Sequence, residues 1–324
     1  MLTLAVCLLT VTAAVLAPPA AGVRVPLELD RWGRGFVRVY IGSAGPYRFL
    51  LDTGSTMSAV SGEVASRLEL MDAGRIATRS LGRSGSARLV HVPPVQLGAR
   101  RFMLRWMIVL EKDRLDSSGR LDGVVGQDLL GQLDYLIEPA SKTLWIDPPA
   151  TILRGLTGVR VPLHGVSRPL AVIANTSRAE WGIDTGASHP VIFRDGIARS
   201  VGSSVDAITP AGRHRVDRLA PASIDVGGQW FSWDDAVFQR RPDRAEHGLL
   251  PLSMFDAIYV SNRDRYALLA PRRSRKAPRP DVAASFGPLE DDAGAARRPG
   301  RIADVAVGHS ELGELPHLAG PRRD

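Results

Sequence analysis

Short apolar segments bounded by glycine, proline and polar residues recur along most of the chain, which is typical of β-strands. The predicted strands with the clearest pattern are residues 36–41, 47–51, 134–137, 142–146, 256–260 and 266–269. Residues 61–70 instead place Val64 and Leu68 on one side of a short predicted helix. The pattern therefore predicts a mostly β protein.

The same order of segments occurs twice, at about residues 23–148 and 157–271. The recurring segments are Arg24–Leu27 with Arg160–Leu163, Leu51–Gly54 with Ile183–Gly186, Leu97–Gly98 with Val226–Gly227, and Gly123–Gly126 with Gly248–Pro251. Their spacing along the chain is nearly preserved. We therefore expect two tandem β lobes with a cleft between them. The predicted division is an N-terminal segment at 1–22, a first lobe at 23–150, a second lobe at 151–271 and a tail at 272–324.

The two ends of the chain differ in character from the repeated units. Residues 2–17 carry no charge and are followed by the small residues Ala20, Ala21 and Gly22, as in a signal peptide. We expect export to the periplasm or the exterior; an uncleaved anchor that associates the chain with a membrane remains an alternative. Residues 272–324 are rich in proline, glycine and arginine and lack apolar periodicity, so we expect a disordered basic tail.

Composition removes several classes of function. The net charge of +7 is spread along the chain, and the one tight basic cluster lies in the tail, so no nucleic-acid partner is expected. The single cysteine, Cys7, excludes intrachain disulfides and multi-cysteine metal sites. The sequence contains no His-Glu-x-x-His, Gly-x-Ser-x-Gly or Walker A motif, and we expect neither a metal nor a cofactor. His189 either lines a cleft or is packed.

Two aspartates stand out because each follows an apolar strand at the same place in the repeat. Asp52 and Asp184 both begin an Asp-Thr-Gly sequence. Two carboxyls held close together cannot easily both ionise, so one keeps a proton while the other stays charged. Such a pair supplies the acid and the base that peptide-bond hydrolysis by water requires, and it titrates as one unit. The alternative is structural, with each aspartate accepting local amide bonds in an Asx-turn.

The residues next to the aspartates suit such a pair. Gly54 and Gly186 allow close backbone approach, and Thr53 and Thr185 offer hydroxyls that can bond from one loop to the other. Ser55 can donate to Asp52, whereas Ala187, at the matching position, has no hydroxyl. We therefore expect Asp52 to be the more acidic member and Asp184 to hold the shared proton.

Residues 50–56 and 182–188 resemble the active-site signature of aspartic proteases, and residues 124–130 resemble the apolar-apolar-glycine segment behind the active-site loop of retropepsins. The resemblance covers about residues 24–270 and is nearest to bacterial retropepsin-like proteins with two fused units. It implies two β lobes related by a pseudo-twofold axis, catalytic Asp52 and Asp184, and support from Gly126. It also implies hairpin flaps over the cleft, whose predicted tips contain Gly82, Gly85 and Gly212.

The leading hypothesis is an aspartic endopeptidase that hydrolyses extended polypeptides as a monomer with an internal pseudo-dimer. The chain departs from the family pattern at Pro251, which stands where the first copy has Gly126, and the predicted flaps lack a tyrosine. The alternative hypothesis is a non-catalytic peptide-binding protein on the same scaffold, with turnover lost through Pro251. A third, an exported structural protein whose tail docks on an anionic surface, depends only on residues 272–279.

Overall fold

A computed structural model describes residues 22–80, 83–110, 121–163, 170–174, 178–194, 200–209, 212–226, 229–241, 246–272, 305–306 and 311–312. The described chain is mostly β with a few short helices, which confirms the prediction from the apolar pattern. The predicted N-terminal segment lies outside the described residues except for Gly22. Among the described residues, no helix is long and apolar enough to cross a membrane.

The described residues from 22 to 153 form thirteen strands and three short α-helices. They are β1 (Val23–Pro26), β2 (Glu28–Leu29), β3 (Gly35–Ile41), β4 (Ala44–Leu51), β5 (Ala59–Ser61), α1 (Gly62–Arg67), β6 (Asp72–Ser80), β7 (Arg83–His91), β8 (Val95–Leu97), β9 (Arg100–Phe102), β10 (Trp106–Leu110), β11 (Gly123–Val125), α2 (Gln127–Leu130), β12 (Tyr135–Glu138), β13 (Thr143–Ile146) and α3 (Ala150–Leu153).

The second unit and the tail contribute the remaining described elements. They are β14 (Val159–Pro162), β15 (Leu170–Ala174), β16 (Arg178–Ile183), β17 (Val191–Ile192), β18 (Ser200–Thr209), β19 (Gly212–Leu219), β20 (Ala222–Val226), β21 (Gln229–Trp233), β22 (Ala236–Phe238), β23 (Gly248–Leu250), a 3-10 helix (Leu252–Met254), β24 (Phe255–Ser261), β25 (Tyr266–Pro271), β26 (Val305–Ala306) and β27 (Glu311–Leu312).

Two sheets repeat one strand order. The first follows β6-β7-β10-β5-β11-β4-β3, and the second follows β18-β19-β22-β17-β23-β16-β15. Each strand of the second sheet occupies the position of its sequence counterpart in the first. The hairpins that follow differ, because β8–β9 continues the first sheet through β3 whereas β20–β21 forms a separate two-stranded sheet. The sequence repeat is therefore also a repeat of topology.

A third sheet contains strands of both units, in the order β1-β13-β12-β24-β25-β14. Its two halves join where β12 pairs antiparallel with β24, with Leu136 opposite Tyr259 and Ile137 opposite Ile258. Both units therefore contribute to one shared sheet, and the predicted boundary between residues 150 and 151, which falls within α3, stays a prediction.

Alternation of apolar and polar residues sets which face of each strand is buried. In β3, Val37, Val39 and Ile41 are buried while Arg38 and Tyr40 are exposed, as expected for a period of two. The helix α1 is shorter than the predicted residues 61–70. It begins after Ser61, whose Oγ accepts the Val64 amide as an N-cap, and ends at Arg67.

Candidate active site

Asp52 and Asp184 lie directly after matching strands. Asp52 follows β4, which pairs in parallel with β11, and its amide donates to the Val125 carbonyl at 3.0 Å. Asp184 follows β16, which pairs in parallel with β23, and its amide donates to the Leu250 carbonyl at 2.9 Å. Each aspartate is therefore fixed at a strand end by the neighbouring parallel strand.

Local amide bonds orient both carboxyls in the same way. Asp52 Oδ1 accepts the amides of Gly54 (2.9 Å) and Ser55 (3.0 Å). Asp184 Oδ1 accepts the amides of Gly186 and Ala187, both at 3.0 Å. These are the local bonds that the structural alternative predicts. They account for the shape of each loop but not for the contacts between the loops.

The two loops bind each other through their threonines. Thr53 Oγ1 donates to the Ile183 carbonyl at 2.6 Å and accepts the Thr185 amide at 3.1 Å. Thr185 Oγ1 donates to the Leu51 carbonyl at 2.6 Å and accepts the Thr53 amide at 3.1 Å. All four bonds are buried. The bonding pattern is reciprocal, so the two loops hold each other in register.

Each glycine of the two motifs faces the carboxyl of the opposite loop. A β-carbon at Gly54 would lie 2.5 Å from Asp184 Cγ, and one at Gly186 would lie 2.6 Å from Asp52 Cγ. Real β-carbons do not approach other atoms so closely, so both positions require glycine. The structure therefore brings Asp52 and Asp184 together, each packed on the backbone of the other loop.

Burial and the neighbouring carboxyl change the acidity of this pair. The relative exposure of Asp52 is 2% and that of Asp184 is 0%. Burial, followed by the charge of Asp184, raises the pKa of Asp52 well above its ordinary value, while the Gly54 and Ser55 amides act in the opposite direction. A proton therefore stays at this site at pH values where exposed aspartates have lost theirs.

The expected contribution of the Ser55 hydroxyl is wrong in the structure. Ser55 Oγ donates to the Met57 carbonyl at 2.8 Å, and the described bond from Ser55 to Asp52 comes from its amide. Ala187 donates the same amide bond to Asp184, because a backbone amide does not depend on the side chain. The hydroxyl therefore gives no reason to make Asp52 the more acidic member.

A polar network that the sequence analysis missed supports the first loop. Ser58 Oγ donates to Asp128 Oδ1 at 2.6 Å and accepts the Gly126 amide at 3.0 Å. Gln127 Nε2 donates to the Thr53 carbonyl at 2.8 Å. A β-carbon at Gly126 would lie 2.4 Å from the Met57 carbonyl carbon, which explains its glycine. The available sequence signal was the polar pair Gln127-Asp128 after an apolar segment.

Burial raises the pKa of Asp128, while its bonds from Ser58 act in the opposite direction. The carboxyl accepts both the Ser58 hydroxyl and the Ser58 amide, the latter at 2.9 Å. It therefore links α2 to the strand that follows the first Asp-Thr-Gly loop.

Pro251 changes the backbone hydrogen bonding that its counterpart Gly126 makes in the first unit. In the first unit, the Gly126 amide needs an acceptor, and Ser58 Oγ provides it. In the second unit, Pro251 has no amide hydrogen, and Pro190 stands six residues after Asp184, where Ser58 stands after Asp52. The second unit therefore lacks both the donor and the acceptor of the bond that Gly126 makes with Ser58. The bond from the Asp184 amide to Leu250 is retained.

The predicted flap residues lie at or beside two hairpins, β6–β7 and β18–β19. Gly85 pairs with Thr78 inside β7, and Gly212 pairs with Thr209 at the start of β19. Both therefore lie in the hairpins proposed as flaps, and their role in a flap stays a prediction. Gly82 lies outside the described residues.

His189 is packed against polar neighbours beside the second loop. Its Nδ1 lies 2.8 Å from Ser188 Oγ, and its Nε2 lies 3.8 Å from Asp235 Oδ2. Its side chain is 15% exposed, and burial lowers its pKa despite the opposing charge of Asp235. Within the described ranges, no group of three or more histidine, cysteine or acidic residues could hold a metal ion.

These features define a class of site: a buried carboxyl pair carried on two matching strand-end loops. A family model described as aspartyl protease matches residues 37–129, a range that contains Asp52 and the segment around Gly126. Over this range the chain is similar to that family. No curated protein matches the chain.

Proposed function

We propose that the protein is an aspartic endopeptidase in which Asp52 and Asp184 form the catalytic dyad. The observation that carries this proposal is the close approach of each carboxyl to the glycine of the opposite loop, at 2.5 and 2.6 Å from a virtual β-carbon. An Asx-turn requires no second loop, whereas a dyad requires this proximity. The family match over residues 37–129 supports the same activity class.

The proposed architecture is a pair of retropepsin-like lobes related by a pseudo-twofold axis. Three features support it: the common strand order of the two sheets, the shared sheet joined at β12 and β24, and the reciprocal threonine bonds. A twofold axis through the dyad would give each loop the same contacts with the other. On this basis the functional unit is a monomer with an internal pseudo-dimer.

The mechanism follows from one proton shared between two carboxyls. The ionised carboxyl takes a proton from a water molecule as the water attacks the peptide carbonyl carbon. The protonated carboxyl donates to the carbonyl oxygen, which forms a tetrahedral diol. When the diol collapses, the carboxyl that is now ionised takes a proton from a diol hydroxyl. The other carboxyl gives its proton to the leaving nitrogen as the C–N bond breaks, so the dyad again holds one proton. We treat the proton as belonging to the pair, because Asp52 and Asp184 accept matching amide bonds.

The proposed substrate is an extended polypeptide that lies between the dyad and the hairpins β6–β7 and β18–β19. Strand edges bind such a segment through main-chain hydrogen bonds. We also propose that the protein is exported, on the basis of the uncharged segment at residues 2–17.

The experiment compares Asp52→Asn and Asp184→Asn with the unchanged protein on unfolded casein at acidic and neutral pH. We expect kcat to fall by about a hundredfold or more in each variant, because asparagine can neither take up nor donate the proton. A pepstatin-like inhibitor should block the unchanged protein. Asp72→Asn is the matched control, since Asp72 is exposed at the start of β6. Full activity in either dyad variant would remove the proposed mechanism.

A further inference from the structure

Two short segments of the predicted tail form strands on the outer edges of the two hairpins. β26 pairs in parallel with β18, with Val305 opposite Ala207 and Ala306 opposite Ile208. β27 pairs antiparallel with β6, with Glu311 opposite Arg79 and Leu312 opposite Thr78. Each becomes the last strand of its sheet. The expectation of disorder is therefore wrong for these four residues.

The two pairings use equivalent positions of the two hairpins. The last pair before the turn is Ser80 with Arg83 in the first hairpin and Thr209 with Gly212 in the second. Ala306 pairs with Ile208, one position before Thr209. Glu311 pairs with Arg79, one position before Ser80.

Val305 pairs with Ala207, two positions before Thr209. Leu312 pairs with Thr78, two positions before Ser80. The inner residues of β26 and β27 thus match each other, and so do the outer residues. The contacts are symmetric about the midpoint of the segment between the two strands.

The opposite directions of the two pairings have a simple geometric cause. Equivalent strands that lie perpendicular to a twofold axis run in opposite directions on its two sides. One chain segment that passes both of them must therefore lie parallel to one and antiparallel to the other. This is the arrangement of β26 on β18 and of β27 on β6. An extended peptide crossing a pseudo-twofold cleft would make the same pair of contacts.

The covalent connection also limits how far apart the two hairpin edges lie. Five residue steps separate Ala306 from Glu311, and an extended chain of that length spans at most about 18 Å. Both edges are therefore within reach of one short peptide segment. Edge strands such as β6 and β18 present unpaired backbone groups when nothing covers them, which is a general basis for binding extended peptides.

We propose that the C-terminal segment is an intramolecular ligand of the two hairpins, bound through Val305–Ala306 and Glu311–Leu312, and that it competes with the polypeptide substrate for these edges. The competition depends on the proposed protease function, whereas the docking does not. A tethered competitor acts at a high effective concentration, so it raises the apparent KM without changing the chemistry at the dyad.

The test uses the full chain with two substitutions, Ala306→Pro and Leu312→Pro. Proline lacks the amide hydrogen and has a fixed φ, so it disfavours both tail pairings. Ala284→Pro with Ala295→Pro is the matched control, because it places two prolines in the tail away from β26 and β27. Two quantities are measured: hydrogen exchange of peptides covering residues 75–80 and 204–209, and the KM and kcat for unfolded casein.

We expect both hairpin segments to exchange faster in the Ala306→Pro, Leu312→Pro variant, with KM lowered by about tenfold and kcat unchanged. Unchanged exchange would overturn the docking, and faster exchange with an unchanged KM would overturn the competition. Faster exchange without casein cleavage by any version of the chain would support the docking while removing the proposed protease function. The control variant should match the unchanged protein in both measurements.

Discussion

The α-carbon of Gly54 faces the carboxyl of Asp184, and a β-carbon added there would lie 2.5 Å from Asp184 Cγ. Gly186 has the same relationship with Asp52, at 2.6 Å. The two aspartates are 132 positions apart in the sequence, so only folding brings them together. Each Asp-Thr-Gly motif thus contributes one carboxyl and also the space that the other carboxyl occupies.

Replacing these glycines should disrupt the dyad. In Gly54→Ala the new methyl group meets Asp184 at 2.5–2.9 Å, and the carboxyl must move. We expect a loss of kcat of at least about a hundredfold, because small displacements of catalytic groups cost large factors in rate. Gly62→Ala is the control, since its β-carbon would meet nothing closer than 3.9 Å. Casein cleavage with circular dichroism as a folding check measures the effect, and an active Gly54→Ala variant would contradict it.

The reciprocal threonine bonds should stabilise the whole fold. Thr185→Val removes the hydroxyl that donates to the Leu51 carbonyl and accepts the Thr53 amide, both buried. We expect the free energy of unfolding to fall by about 2 kcal/mol or more, because buried backbone groups lose their partners. Urea unfolding measures this change, with the exposed Thr151→Val as control.

The same experiment on Thr53→Val and on the double variant completes a mutant cycle. Because the two hydroxyls hold one another's loops, we expect their effects to be coupled by about 1 kcal/mol. Strictly additive effects would mean that the two loops are held independently.

The buried dyad should make stability depend on pH. Because the pKa of Asp52 is raised in the folded chain, the folded state binds more protons than the unfolded state between the two pKa values. The contribution of Asp52 to the free energy of unfolding is fully present below its unfolded pKa. This contribution is lost as the pH rises through its folded pKa. We expect Asp52→Asn to be more stable than the unchanged protein by about 1 kcal/mol or more near neutral pH.

Urea unfolding at several pH values measures this difference, which should shrink toward acidic pH, where Asp52 is protonated in both states. Asp72→Asn, at an exposed position, should show no such trend. The predicted sign would be wrong if the stability of Asp52→Asn, measured relative to the unchanged protein, decreased as the pH rose from acidic to neutral.

Pro251 should have little effect on catalysis. Pro251→Gly introduces an amide that has no serine hydroxyl to accept it, because Pro190 replaces Ser58. We expect kcat within about twofold of the unchanged protein and a stability loss of about 2 kcal/mol, from the freer unfolded chain and from the amide without its serine acceptor. A large rise in kcat would favour the alternative that Pro251 suppresses turnover.

Ser58→Ala is the informative counterpart in the first unit. It removes the acceptor of the Gly126 amide and a donor to Asp128. We expect a stability loss of about 2 kcal/mol, measured by urea unfolding, because a buried amide and a buried carboxyl both lose a partner. A loss well below about 1 kcal/mol would contradict the role given to this network.

Local pattern predicted many individual strands closely. Residues 36–41 predicted β3 (Gly35–Ile41), and residues 142–146 predicted β13 (Thr143–Ile146), because alternation and turn residues are local properties. The interval between the predicted strands 36–41 and 47–51 was too long, since β4 already begins at Ala44. Gly42 adopts a left-handed φ of 61°, which allows a tight turn between β3 and β4.

By itself, the sequence determined the strand content, the repeated unit and the two Asp-Thr-Gly motifs, because these depend on residues close together along the chain. Tertiary structure alone decided the shared sheet at Leu136 and Tyr259 and the tail strands on the two hairpins. These relationships join residues far apart in sequence. Their hydrogen bonds are between backbone groups that every residue carries, so side-chain identity gives no local signal of which strand pairs with which.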